Sequence, residues 1–118
     1  MAEPTIRGMV RLIQVEVRDT PDLQPDRAAD LLMKLSALLG NINDSIREAD
    51  QAYAEVLLQH LESSEAANRA KIRAETTPAF QRKREARDTR ELALELIRSL
   101  KYLLKAKQDE YRYSGGMA

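Results

Sequence analysis

Ten positions between Ala28 and His60 do most to restrict what this chain can fold into. Ala28, Leu32, Leu35, Leu39, Ile42, Ile46, Ala49, Tyr53, Val56 and His60 alternate by four and three residues, and nine of the ten are apolar or aromatic. That is the 3.5-residue repeat of a coiled-coil seam. Extended, it reaches Ser63, Ala67, Ala70 and Ala74, so the seam narrows to small side chains across which two backbones can approach closely. Gly40-Asn41 is a local stop signal, yet the register passes through it. The repeat predicts one helix over 25–75, at a cost of about 1 kcal/mol for the glycine. A kink at Gly40 is the alternative.

The flanking segments supply the punctuation. Pro21 and Pro25 lie four apart in Asp19–Pro25, and two such prolines cannot both sit inside one helix, since each lacks an N–H and clashes with the preceding turn. Pro25 suits a first helical position, followed by Asp26 at the positive end of the helix dipole. Thr76-Thr77-Pro78 is the clearest break in the chain: Thr77 can cap a new helix and Pro78 can open it. The stripe Phe80, Ala86, Thr89, Ala93, Leu96, Leu100 and Leu103, widened by Leu92, Ile97, Leu104 and Tyr111, predicts a second long helix over 78–113. Residues 114–118 read as a flexible tail. Before the prolines, Ile6, Met9, Val10, Ile13 and Val17 share one helical face, predicting a short helix over 5–18. Alternation at Ile13, Val15 and Val17 leaves a short strand as the other reading. The fold class expected is all-α: one helical domain over 1–118, a long antiparallel, coiled-coil-like hairpin with a short N-terminal helix.

Helix lengths say where that short helix belongs. At about 1.5 Å per residue, 25–75 would run ~75 Å and 78–113 ~54 Å. A hairpin folded at Thr76–Pro78 then leaves the start of the longer helix uncovered, and residues 5–18 are expected there, near the end of the last helix. Leu31 and Leu38 flank the early seam, and Leu57, Leu58 and Leu61 flank the later part. A lone hairpin does not need so many leucines, so self-association is expected.

Composition removes several function classes. The chain has no Cys, one His, no Trp and only 4 Gly. Disulfides and thiol nucleophiles are excluded, and Gly8, Gly40, Gly115 and Gly116 build no phosphate-cradling loop. No apolar run approaches the roughly 18 residues of a membrane span, and the first residues lack the pattern of a secretory leader. A cytoplasmic protein without a membrane partner is expected. His60 falls on the seam, where a polar residue fixes register or oligomer state. As a metal ligand it would need an acidic residue three positions earlier, the pattern of helical carboxylate sites, but Leu57 stands there. Glu48, Asp50 and Glu55 offer no His partner. Neither catalysis, a metal nor a cofactor is expected.

Charge is more telling. The formal net charge is zero, from 19 Lys/Arg and 19 Asp/Glu. Yet residues 1–65 carry a net −6 and residues 66–118 a net +6. Arg69, Lys71, Arg73, Arg82, Lys83, Arg84, Arg87 and Arg90 stand against only Glu75, Glu85 and Asp88 within 66–90. In a hairpin all eight gather within a few turns of Thr77-Pro78, the footprint of a phosphate binder. Lys101, Lys105, Lys107 and Arg112 extend it. Tyr102, Tyr111 and Tyr113 lie in that stretch and can either stack on unpaired bases or serve as amphipathic packing residues. The competing reading of the charge split is that acidic and basic helices meet each other, within or between chains.

The stretch from about Ile46 to Tyr113 carries Ala49-x-x-x-Tyr53, Lys71-x-Arg73-Ala74-Glu75 running into a Thr-Pro turn, Ile97-Arg98-Ser99-Leu100-Lys101, and Glu110-Tyr111-Arg112. It resembles small helical-hairpin proteins of phages and prophages, some of them similar to the recombination mediator of T4-type phages. That resemblance implies an oligomeric all-helical factor that binds single-stranded DNA and helps load a recombinase.

The leading expectation is a non-enzymatic phage-type accessory protein. It would self-associate along Leu32, Leu35, Leu39, Ile42, Ile46, Tyr53 and His60, and bind nucleic acid, single-stranded DNA among the candidate forms, through the eight basic residues. Two alternatives stand beside it. One is a structural or assembly coiled coil. The other is a phage inhibitor of a host protein such as a defence complex, with a host or phage protein as partner.

Overall fold

The computed structural model describes residues 5–63 and 66–116, the last four as backbone only. The described chain is all-α: α1 (Ile6–Asp19), α2 (Pro25–Glu62), α3 (Ala67–Ala74) and α4 (Pro78–Gly116). α2 and α4 are the arms of an antiparallel helical hairpin. None of the described helices is long and apolar enough to cross a membrane. The chain divides into two compact units: residues 1–39 with 91–118, and residues 40–90.

The first unit joins α1, the start of α2 and the later part of α4, the grouping that helix lengths led us to expect. α1 is a helix, not a strand. Thr5 caps it, its hydroxyl accepting from the Gly8 N–H at 2.9 Å, a signal the apolar pattern does not reveal. Val10 and Ile13 are buried, while Ile6, Met9 and Val17 on the same face are half-buried. Pro25 opens α2 as its fixed φ allows. Ala28, Leu31, Leu35, Ala93, Leu96 and Leu100 complete the core, and Leu23 of the proline-bounded linker is buried with them. The Arg27 guanidinium grips Glu16 with two hydrogen bonds, 2.6 and 2.7 Å, tying α2 to α1. Lys107 reaches Asp22 at 3.7 Å and so brings α4 to the linker.

Here the seam departs from the expected register. Leu31 is 1% exposed, whereas Leu32 and Leu39 are only half-buried. A straight helix turns once per 3.6 residues and drifts about 20° per heptad from a strict 3.5 repeat. With α1 packed on that side, burial selects the neighbouring leucine. The heptad partners Ala28, Leu35 and Ile42 belong to both registers, and all three are buried.

The second unit joins the later part of α2, α3 and the start of α4. Its buried residues are Ile42, Tyr53, Ala70, Ala74, Ala79 and Thr89; Thr89 satisfies its hydroxyl on the Glu85 carbonyl at 2.8 Å. α2 is continuous through Gly40, so the alternative of a break there does not hold. The long helix expected over 25–75 instead ends at Glu62, and α3 is separate. At the boundary the Ser63 hydroxyl donates to the Gln59 carbonyl at 2.9 Å, alongside the Ser63 N–H at 3.2 Å. Ser64 and Glu65, which the expected helix spanned, lie outside the described residues. The narrowing of the seam is real at Ala70 and Ala74, both fully buried.

The α3–α4 turn uses its threonines differently from expectation. Thr77 precedes Pro78, the first residue of α4, but its hydroxyl turns back and donates to the Ala74 carbonyl at 2.6 Å. Thr76 does the same to the Arg73 carbonyl at 2.7 Å. Both hydroxyls thus add a second donor to end carbonyls of α3 that already accept the Thr76 and Thr77 N–H groups at 3.2 Å. α4 runs past the expected end at residue 113 to Gly116, since nothing after Tyr113 removes an N–H or locks the backbone. Of the expected tail, Met117 and Ala118 lie outside the described residues.

Candidate nucleic-acid interface

All eight basic residues singled out belong to the second unit. Arg69, Lys71 and Arg73 are exposed on α3, whose opposite face buries Ala70 and Ala74. Arg82, Arg84, Arg87 and Arg90 are exposed on α4, and Lys83 is half-buried.

The structure separates them by what they already hold. The Lys83 ammonium sits 4.4 Å from the centre of the Tyr53 ring. Tyr53 in turn packs on Phe80, with centroids 5.5 Å apart and the rings tilted by 46°. The Arg84 guanidinium lies 5.9 Å from the centre of the Phe80 ring. Arg87 donates to Asp50 at 2.8 Å. These three cations fasten the start of α4 to itself and to α2 through cation–π and ionic contacts. Arg69, Lys71, Arg82 and Arg90 form no ion pair among the described residues, and they lie on α3 and the start of α4, to either side of the turn.

The charge split also looks different once counted by unit. Residues 40–90 contain nine Lys/Arg and nine Asp/Glu, and the remainder of the chain ten of each. Each unit is therefore neutral, and in the second the acidic stretch lies on α2 and the basic one on α3 and the start of α4. The positive excess is confined to α3, the turn and the start of α4. Sequence reading missed the aromatic–cation cluster, because Tyr53 and Phe80 are far apart in the chain; the pairing of α2 with α4 brings them together.

In the first unit, Tyr102 is 77% and Tyr111 80% exposed, so neither packs within the chain. Tyr102 has Arg98 and Lys105 one turn away on the same helical face, and both are exposed. The Tyr113 side chain lies outside the described residues.

The expected oligomer seam is largely spent within the chain. Leu35 and Ile42 are at most 1% exposed and Tyr53 is 9% exposed, while Leu32, Leu39, Ile46 and His60 are half-buried. Among the described residues, no three His, Asp or Glu side chains gather to hold a metal ion. The acidic group is dispersed as well: Asp50 binds Arg87, while Glu48 and Glu55 face solvent. No protein-family model, curated protein or solved structure matches this chain.

Proposed function

We propose that the protein is a non-enzymatic accessory protein of the phage type that self-associates and binds nucleic acid, single-stranded DNA in the first instance, through the turn between α3 and α4. The observation that carries this reading is the group Arg69, Lys71, Arg82 and Arg90, exposed and without ion-pair partners among the described residues, on the two helices that the turn joins. Cations left uncommitted at one place are what a phosphate backbone requires, since affinity comes from releasing its condensed counterions. The solvent-facing Tyr102 between Arg98 and Lys105 adds support, because an aromatic ring beside cations is a platform for an unpaired base.

The test is fluorescence anisotropy of a labelled single-stranded oligonucleotide against protein over a salt series. Binding that weakens steeply with salt, and is lost in Arg82→Glu with Arg90→Glu at unchanged helicity, supports the reading. No retention of the oligonucleotide at low salt overturns it.

A second reading, an assembly protein that binds no nucleic acid, is favoured by one specific observation: in the second unit the acidic stretch of α2 and the basic α3 and start of α4 neutralise each other, through pairs such as Arg87–Asp50. Under it the same charge reversals alter oligomer mass or stability, and the oligonucleotide stays free.

A further inference from the structure

α1 and the start of α2 enclose an open, mainly apolar groove of about 680 Å³, lined by Met9, Leu12, Ile13, Leu31 and Leu38, with Lys34 on its wall. Its volume falls in the range of built binding sites, roughly 300–1,000 Å³. Leu12 at its lip is 68% exposed, a cost in water that burial would recover. The other charged lining residues, Arg27 and Glu16, are bonded to each other. Lys34 lies close enough to help hold the Glu16 carboxyl low, but forms no ion pair among the described residues. The groove therefore offers an apolar slot with one net positive charge.

A matching surface exists on the same chain. Near its C-terminal end α2 exposes Leu58 (54%) and Leu61 (41%). Ala54, Glu55 and Glu62 lie three or four residues from Leu58, hence beside it on the helix, and all three are exposed. This is an apolar ridge with acidic flanks, the form taken by helices that seat in grooves.

We infer that the groove between α1 and α2 of one copy receives the Leu58–Leu61 ridge of a second copy, with Lys34 facing the Glu55 or Glu62 carboxylate. The inference rests on the self-association in the proposed function and gives it an address. Two facts favour this occupant. The seam first expected to join copies is partly spent within the chain, where Leu35, Ile42 and Tyr53 are buried. Two grooves face to face would set Lys34 against Lys34, whereas groove and ridge are opposite in charge. Such a contact is heterologous, so copies add head to tail and close into a ring or extend.

The experiment is sedimentation velocity on the full chain over a concentration series without nucleic acid, so its outcome is independent of DNA binding. Wild-type mass should rise with concentration. Leu12→Glu, which spoils the groove, and Leu58→Lys, which spoils the ridge, should each be monomeric. Their equimolar mixture should form a one-to-one dimer and nothing larger, because it retains one good groove and one good ridge. Should either variant lose helicity, Lys34→Glu and Glu62→Lys, both at exposed positions, replace them: each alone weakens association, and mixing the two restores concentration-dependent association, because the reversed groove fits the reversed ridge and the other contact is that of the wild type. A wild type that stays monomeric, a ridge variant that associates as the wild type does, or a mixture that remains monomeric overturns the inference.

Discussion

Arg87 Nη2 donates to Asp50 Oδ2 across 2.8 Å, linking the acidic α2 to the basic α4 within the second unit. The other carboxylate oxygen, Oδ1, is buried without a hydrogen-bond partner, so Asp50 depends on Arg87 for compensation. This one pair divides the basic cluster into cations that hold the fold and cations that remain available.

Structural and available cations should separate experimentally. Arg87→Ala lowers the melting temperature, because it strands the Asp50 carboxylate, and Asp50→Ala in the same chain recovers part of the loss. Arg82→Ala and Arg90→Ala leave the melting temperature nearly unchanged. On single-stranded DNA, each of these two reduces the slope of log affinity against log salt by about 0.7 for every phosphate the side chain had neutralised, and Arg87→Ala reduces it less. Thermal melts and salt titrations of the four variants check this.

The register of α2 is testable by truncating two adjacent leucines. Leu31 is 1% exposed and Leu32 half-buried. Leu31→Ala should cost about 3 kcal/mol, within the span for buried leucines, and Leu32→Ala well under half of that. Urea unfolding read by circular dichroism gives both numbers. A larger cost for Leu32→Ala would mean that the strict 3.5 repeat governs packing here.

Gly40 is an opportunity for stabilisation. It is exposed in mid-helix, and a Cβ added there meets nothing within 4 Å. Gly40→Ala should stabilise the chain by about 1 kcal/mol, raising the melting temperature by roughly 4 °C. Gly8 is the contrast, since a Cβ there would lie 3.1 Å from the Thr5 hydroxyl oxygen that caps α1.

Acid should loosen the first unit. The hydrogen bond from Arg27, with the nearby positive charges of Arg27 and Lys34, holds the Glu16 carboxyl below its ordinary value against a smaller effect of burial. A lowered folded pKa means the contribution is present above the unfolded carboxylate range and is lost as pH falls through the folded value. Its size is modest, because both side chains are partly exposed and so screened. Glu16→Gln should therefore lower stability near neutrality and converge with the wild type in acid, as melts at several pH values will show.

The sequence by itself determined the elements: α1 from its apolar face, the opening of α2 at Pro25, the break before Pro78 and the core stripe of α4. These follow from local rules, namely helical periodicity and the backbone restrictions of proline, so they are visible without knowing what packs on what. Tertiary structure decided the rest. Leu31 rather than Leu32 enters the core, because helices are straighter than a heptad count and α1 packs on one side. α2 stops at Glu62, where Ser63 bonds back to Gln59. Thr77 turns its hydroxyl to α3, a second donor to the Ala74 carbonyl beside its own N–H. Above all, eight similar cations became two kinds. Lys83 and Arg87 are held by Tyr53 and Asp50, far away in sequence, while Arg82 and Arg90 are not. A charge count records how many cations there are; only the pairing of helices sets which of them have been spent.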